Sequence, residues 1–338
     1  MAMNLKKAAI GLMAGLVSAA LLAGCGGGGG NKGGDDPKKP AATPSAQVEM
    51  KGEPATTFQI GDKTAKIYAL KAPAADDNFL FVGQRVVYAN GAIYLHGEMS
   101  DGKGGDVQGL YKFPLKGDAI TGKEMVAASD GSAGDQRNLA VCRDKVLFQL
   151  KDGNKLGLYN GKSLDKSDGK WKDEYDSMVG FAEGNELLLV RGTDTVCTAQ
   201  QELSDIKNVK VVVDNAKKAL KLEDAVLTPV YADANELFLS TPLNFDSFTT
   251  DLVVFDKKGK LLARYSGIKN DPGAWAVTKR YIVQACSNSD VLVYDRSTGK
   301  KVFDAQVREF APRYLFSLGG DMVLACADET HFFILDLK

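Results

Sequence analysis

The sequence predicts an all-β protein: a single β-propeller of six four-stranded blades closed by an N-terminal strand, with seven blades as the alternative. Three observations predict it. After residue 48, short apolar runs rich in Val, Leu, Ile, Tyr and Phe alternate with Gly, Asp, Asn and Lys, and helical periodicity is nearly absent. The runs come in groups, most of them groups of four. The groups recur: Tyr111, Tyr159, Phe255, Tyr294 and Leu335, each in the third run of its group, stand 48, 96, 39 and 41 residues apart, the 96 spanning two groups. A repeat of about 40–50 residues with four strands per unit is the pattern of a propeller blade.

The first group reads 82–88, 91–96, 109–113 and a weaker run near 123–125. The second reads 139–142, 145–150, 156–159 and a run near Trp171. The third is 178–181, 186–190, 195–199 and 209–213, and the fourth 227–231, 236–239, 252–255 and 261–265. The fifth is 275–277, 281–285, 291–294 and 301–303. The sixth has only three runs, 314–317, 322–325 and 332–335, before the chain ends. The stretch Thr64 to Leu70 is a spare strand. Pairing it with the last group would close the ring and remove an exposed sheet edge. The run Thr57 to Ile60 is either a fifth strand there or the mark of a seventh, irregular blade. The best helical pattern, near Asn215 to Glu223, is short and reads as a loop turn.

Residues 1–47 have another texture. Lys6 and Lys7 precede a 16-residue apolar run, Ala8 to Ala23, that ends in Leu22-Ala23-Gly24-Cys25. A basic start followed by a short apolar run is a secretory signal, and a membrane-spanning helix needs about 20 residues. The four closing residues resemble the lipobox of bacterial lipoproteins. That resemblance implies acylation of Cys25, cleavage before it, and an extracytoplasmic protein held to a membrane by lipid. Gly26 after the cysteine resembles an outer-membrane-directed signal, should the host have two membranes. Residues 25–47 then form a Gly- and Pro-rich tether unable to bury a core. Its reach is roughly 25 Å. The folded domain is expected over residues 48–338.

Charge excludes one class of partner. The chain carries 42 basic and 43 acidic residues, and loss of Lys6 and Lys7 with the leader takes the net charge from −1 to −3. Such a balance gives no field for nucleic acid. Cys142, Cys197, Cys286 and Cys326 each lie in or beside an apolar run, without metal-type CxxC spacing. They read as small buried hydrophobes, although an exported chain can also form disulfides.

The fifth group contains Val291-Leu-Val-Tyr-Asp-Arg-Ser-Thr-Gly-Lys-Lys-Val-Phe303. This resembles the strand–turn–strand of quinoprotein-like (PQQ-type) propeller repeats, with Phe303 where those repeats usually carry Trp. The fourth group has a shorter version, Val254-Phe-Asp-Lys-Lys-Gly-Lys-Leu261. In the turn, Asp295 and Thr298 can bond nearby backbone, and Gly299 tolerates positive φ. The resemblance implies the scaffold and no quinone, since most such repeats serve only as framework. Lipid-anchored propellers of this type include one that assists outer-membrane barrel assembly, which implies the general role of a docking surface.

In a propeller, the loops joining second to third strands share one face with the blade-to-blade connections. Read this way, that face collects His96, Glu98, Asp101 and Asp106, then Asp152, Asn154, Arg191 and Asp194. It continues with Asn244, Phe245 and Asp246, then Asn288 and Asp290, and lastly Asp328, Glu329 and His331. Candidate ligand-binding residues are His96, Asp101, Phe245, Asp246, Asp290, Asp328 and His331. Phe245 and Phe248 are either an exposed pair suited to a partner or a cover for the end of the core. The Gly/Asp loops 100–106 and 129–135 read as turns; their spacing is not that of an EF-hand, and no metal or other cofactor is expected. No nucleophile elbow, HExxH, P-loop or dinucleotide fingerprint stands on the right elements, so no catalytic residue is assigned. The expected function is a lipid-anchored binding or assembly module for a cell-envelope protein or a polar ligand such as a glycan. The alternative is a cell-surface glycan hydrolase or lyase on the same scaffold.

Overall fold

The structure is a computed structural model. It describes residues 48–74, 78–100, 102–103, 105–128, 139–142, 145–150, 153–166, 177–180, 186–191, 195–200, 207–208, 218, 220–221, 227–232, 236–256, 259–269, 275–286, 290–307, 310–328 and 330–338.

Strands β1 (Thr56–Ile60) and β2 (Lys63–Ala69) form an N-terminal hairpin. Sheet one holds β3 (Phe79–Ala89), β4 (Ala92–Ser100), β5 (Asp106–Lys116), β6 (Ala119–Ile120) and β7 (Glu124–Ala128). Sheet two holds β8 (Leu139–Cys142), β9 (Lys145–Leu150), β10 (Gly153–Tyr159) and β11 (Leu164–Lys166). Sheet three holds β12 (Ser177–Gly180), β13 (Glu186–Arg191), β14 (Thr195–Gln200) and β15 (Lys207–Asn208). Sheet four holds β16 (Thr228–Ala232), β17 (Glu236–Ser240), β18 (Thr249–Asp256) and β19 (Leu261–Lys269). Sheet five holds β20 (Trp275–Val277), β21 (Tyr281–Ala285), β22 (Asp290–Asp295) and β23 (Lys301–Gln306). Sheet six holds β24 (Tyr314–Gly319), β25 (Met322–Cys326) and β26 (Phe332–Asp336), and takes β2 and β1 as its outer strands.

The first strands of these sheets lie side by side in a closed cycle. β3 meets β8, β8 meets β12, β12 meets β16, β16 meets β20, β20 meets β24, and β24 returns to β3. A ring of antiparallel sheets about a central axis is a β-propeller. The spare strand pairs where the sequence places it: Ile67 stands opposite Leu335 and Tyr68 opposite Ile334. The run 57–60 is the fifth strand of that same sheet, with Phe58 opposite Ala65. Beyond β2, the chain also bonds to sheet one. Lys71 N donates to Asp118 O (2.8 Å), Ile120 N donates to Lys71 O (2.7 Å), and Lys71 Nζ lies 2.9 Å from the Asp118 carboxylate.

The core lies between neighbouring sheets, which explains the unbroken apolar second strands. Every residue of β25 and of β21 is buried. In β4, Ile93 and Leu95 pack toward sheet six, while Ala92 and Tyr94 pack toward sheet two. A strand covered on both faces needs no polar alternation, and each fully buried Leu, Ile or Phe stabilises by about 1.5–3 kcal/mol.

The turn reading holds at Asp295. Its Oδ1 accepts from Ser297 Oγ (2.6 Å), Thr298 N (2.8 Å) and Thr298 Oγ1 (2.9 Å), and Gly299 has φ 69°. A shorter turn follows Asp256, where Lys260 N donates to Oδ1 (2.8 Å) and Gly259 has φ 83°. Cys286 and Cys326 are buried thiols. The fourth strand of sheet two lies at Leu164–Lys166, before the expected run near Trp171, because Tyr159, Asn160 and Ser163 close a tight turn. Trp171 and the expected strand 209–213 lie outside the described residues.

Candidate functional site

Pairing register defines one face of the ring. In each sheet the first strand begins level with the end of the second: Leu80 stands opposite Glu98, Trp275 opposite Gln284, and Tyr314 opposite Cys326. The loops from second to third strands leave from this same end. The face therefore combines two sets of residues, the loop tips and the starts of the inner strands around the channel mouth.

Among the described residues, the most developed tip is in sheet four. Between β17 and β18, Asn244 Oδ1 accepts from Asp246 N (2.9 Å) and Ser247 N (3.3 Å), and Asn244 N donates to Thr249 O (2.8 Å). Ser247 Oγ and Thr249 Oγ1 bond each other at 2.6 Å. These bonds hold a tight turn with two rings outside it, Phe245 being 76% exposed and Phe248 68%. Of the two sequence readings of this pair, the structure shows the exposed one. Phe248 has φ 51°. A bulky residue in the left-handed region is strained and is held there by its surroundings.

In sheet six, the loop after β25 gathers around Asp328. Its Oδ1 accepts from Thr330 N (2.8 Å), Thr330 Oγ1 (2.8 Å) and His331 N (2.9 Å), and His331 Nδ1 lies 2.8 and 2.9 Å from its two oxygens. Desolvation raises this carboxyl, but the bonds from Thr330 and His331 outweigh it and hold the group below the ordinary aspartate range. The His331 ring is largely in solvent.

Other predicted members sit differently. His96 is not on a loop: it lies inside β4 opposite Leu110, 5% exposed, because this strand runs on to Ser100. Glu98 is also within β4, and its carboxylate accepts from Gln108 Nε2 across the pair (2.5 Å). Asp106 opens β5 opposite Ser100. Asp290 is the first residue of β22, opposite Gln306, at the foot of its loop. Cys25, Asp101, Asp152, Asp194, Asn288 and Glu329 lie outside the described residues, as does the loop 129–135.

The inner rim was missed by sequence reasoning. Leu80 is 60% exposed, and Phe81 and Tyr314 meet edge to face at 4.9 Å across the contact of β3 with β24. Below them β3 bulges. Phe81 pairs with Gly97 and Val86 with Leu95, so residues 82–85 oppose His96 alone. Gly83 inside an apolar run was the available signal for this bulge. Bulges of this kind re-aim side chains next to sites.

The opposite end of the ring carries ion pairs that no motif announces. Arg296 pairs with Glu236 of sheet four, and Arg296 Nη1 donates to Thr278 O (2.9 Å). Arg280 of sheet five pairs with Asp321 of sheet six.

No protein-family model matches the chain, and no curated protein matches it. Among solved structures, it is similar to the WD40 β-propeller domain of Doa1, at 10% identity over 85% of this chain and 97% of that one, with a TM-score of 0.41. It is similar also to the computationally designed Ika8 protein, at 11% identity over 85% of this chain and all of that one, again with a TM-score of 0.41. The propeller assignment rests on the chain's own ring of sheets.

Proposed function

We propose that this chain is an extracytoplasmic lipoprotein, anchored through Cys25, whose six-bladed propeller binds or helps assemble a cell-envelope protein. The six-blade reading takes each member of the closed cycle of inner strands as one blade. The PQQ-type resemblance contributes scaffold and no cofactor. The lipid fixes position, in the outer membrane if the host has two, and the tether gives roughly 25 Å of reach. The observation that carries the binding role is the exposed pair Phe245 and Phe248, on the face that also holds Leu80 at the channel mouth. Large aromatics in solvent are costly to keep without a partner.

The test is to crosslink intact cells making the tagged protein and identify what co-purifies, with a Cys25→Ser control. An envelope protein recovered only with the lipidated form supports the reading. Correct membrane localisation with no protein partner overturns it.

One observation favours the second reading, a cell-surface glycan hydrolase or lyase. His331 Nδ1 is held by the Asp328 carboxylate, which orients an exposed imidazole as a general base requires. Polysaccharide cleavage that disappears in His331→Ala would establish this reading instead.

A further inference from the structure

The loop between β17 and β18 specifies more than a general sticky surface, and this inference rests on the binding-module reading above. Three features of the tip are independent. Its two rings are its most exposed large groups. Several of its polar groups are bonded within the loop: Asn244 Oδ1 to two backbone amides, and Ser247 to Thr249. Finally, Asp246 sits between the two rings in sequence and is exposed.

We infer that residues 244–248 are a two-pronged knob whose rings enter an apolar cleft on a partner protein, with Asp246 meeting a Lys or Arg at the cleft's edge. A polyol ligand is disfavoured, because sugars need several donors and acceptors beside the rings, and Asn244 Oδ1, Ser247 Oγ and Thr249 Oγ1 are already bonded within the tip. Insertion into a bilayer is disfavoured by charge. Asp246 is exposed between the two rings in sequence, and residues 241–251 contain no Lys or Arg to meet anionic headgroups. A protein cleft with a cation answers both the rings and the carboxylate. The left-handed backbone at Phe248 fits this role, since strain retained at an exposed position with a bulky side chain marks a constraint other than stability.

The test uses the full lipidated chain in its producing cells, with a photo-crosslinking phenylalanine analogue at 245, at 248, at 80 or at the distant exposed position 262. The expected result is one protein crosslinked from 245 and 248 and not from 262, through apolar residues neighbouring a Lys or Arg. Yield should fall at least about tenfold with Asp246→Lys and with Phe→Ala at the ring left unlabelled. Phe248→Gly separates folding from binding. Glycine accepts this φ without strain, so melting temperature should hold or rise while crosslinking from 245 falls. Crosslinks to lipid alone, flotation of the Cys25→Ser chain with phosphatidylcholine or phosphatidylglycerol vesicles that needs both rings, or yields unchanged by Asp246→Lys would each overturn the inference. A partner crosslinked from 80 but not from 245 or 248 would overturn the knob and leave the binding module standing. No protein crosslinked from any position on the face would overturn both.

Discussion

Arg280 and Asp321 join sheets five and six at the end of the ring opposite the loop face. Arg280 Nε donates to Asp321 Oδ2 at 2.6 Å, and the Arg280 backbone N donates to Oδ1 at 2.8 Å. Thr278 Oγ1 adds a third bond to Oδ1 (3.0 Å), while Arg280 Nη2 reaches Leu337 O at 3.0 Å. The hydrogen bond it donates to Asp321, which outweighs desolvation, raises the Arg280 guanidinium above its ordinary value, so it stays charged. Asp321 is only 6% exposed. Asp321→Ala therefore leaves Arg280 Nε and the Arg280 backbone amide without this acceptor, while the Thr278 hydroxyl keeps Tyr281 O (3.1 Å). Because Arg280 is partly solvated, the expected loss is about 2–3 kcal/mol rather than the larger cost of a fully buried pair. Urea denaturation measures it. Asp321→Asn, which keeps one acceptor, should lose less. Equal stability of Asp321→Ala and the parent would show that the pair is not a tie between sheets.

A second expectation concerns Gly97. A Cβ there would stand 2.3 Å from Phe79 Cε2 and Cζ. Phe79 cannot retreat easily, since it is buried and packs on Tyr111 at 4.9 Å and Phe113 at 6.0 Å. Gly97→Ala should cost about 1–3 kcal/mol by overpacking. Gly109→Ala should also destabilise, because its Cβ would meet the Ala127 carbonyl oxygen at 2.4 Å, where β5 pairs with β7. Gly122→Ala, with nothing within 4 Å, is the control and should leave the thermal midpoint unchanged.

These residues show what the sequence can and cannot display. Strand identity was legible because burial between sheets writes itself as apolar runs: Tyr111, Tyr159, Phe255, Tyr294 and Leu335 all fall in third strands and are all buried. Closure by β2 was legible because the last group of the repeat has only three runs while 64–70 stands spare. Strand ends were not, and that misplaced His96, which pairing with β5 carries into the core. The Arg280–Asp321 tie was illegible for another reason. Its partners are 41 residues apart and meet only when two adjacent sheets stand side by side. The exposure of Phe245 and Phe248 depends on a tight turn whose positive φ at a phenylalanine no sequence rule predicts.

Cys286 and Cys326 should behave as buried hydrophobes. Each directly follows or ends the second strand of its sheet, and both thiols are buried. Cys326 Sγ donates to Asp328 O at 3.3 Å. A thiol shielded from solvent reacts slowly. Mass spectrometry after a brief pulse of iodoacetamide should find neither residue labelled in the native protein and both labelled in guanidinium chloride. Native labelling of Cys326 as fast as a free thiol would mean that the loop after β25 opens readily.

The loop around Asp328 makes a pH-dependent prediction. Its folded carboxyl lies below the ordinary value of 3.8, since the Thr330 and His331 bonds outweigh desolvation. A depressed folded value favours the folded loop above the unfolded pKa, and the advantage disappears as pH falls through the lower folded midpoint. The loop should therefore keep one conformation from neutral pH down to about pH 4 and loosen only below that. Carbon-detected titration of the Asp328 carboxyl should give a midpoint under 3.8, with the Thr330 and His331 amide shifts following the same curve. In Thr330→Ala, which removes the hydroxyl bond but keeps the backbone one, the midpoint should move upward toward 3.8. Asp328→Asn should abolish the acid transition at these amides and free the His331 ring from its fixed orientation. A parent midpoint at or above 3.8, or a Thr330→Ala midpoint that does not move, would mean that solvent rather than this bond set governs the loop.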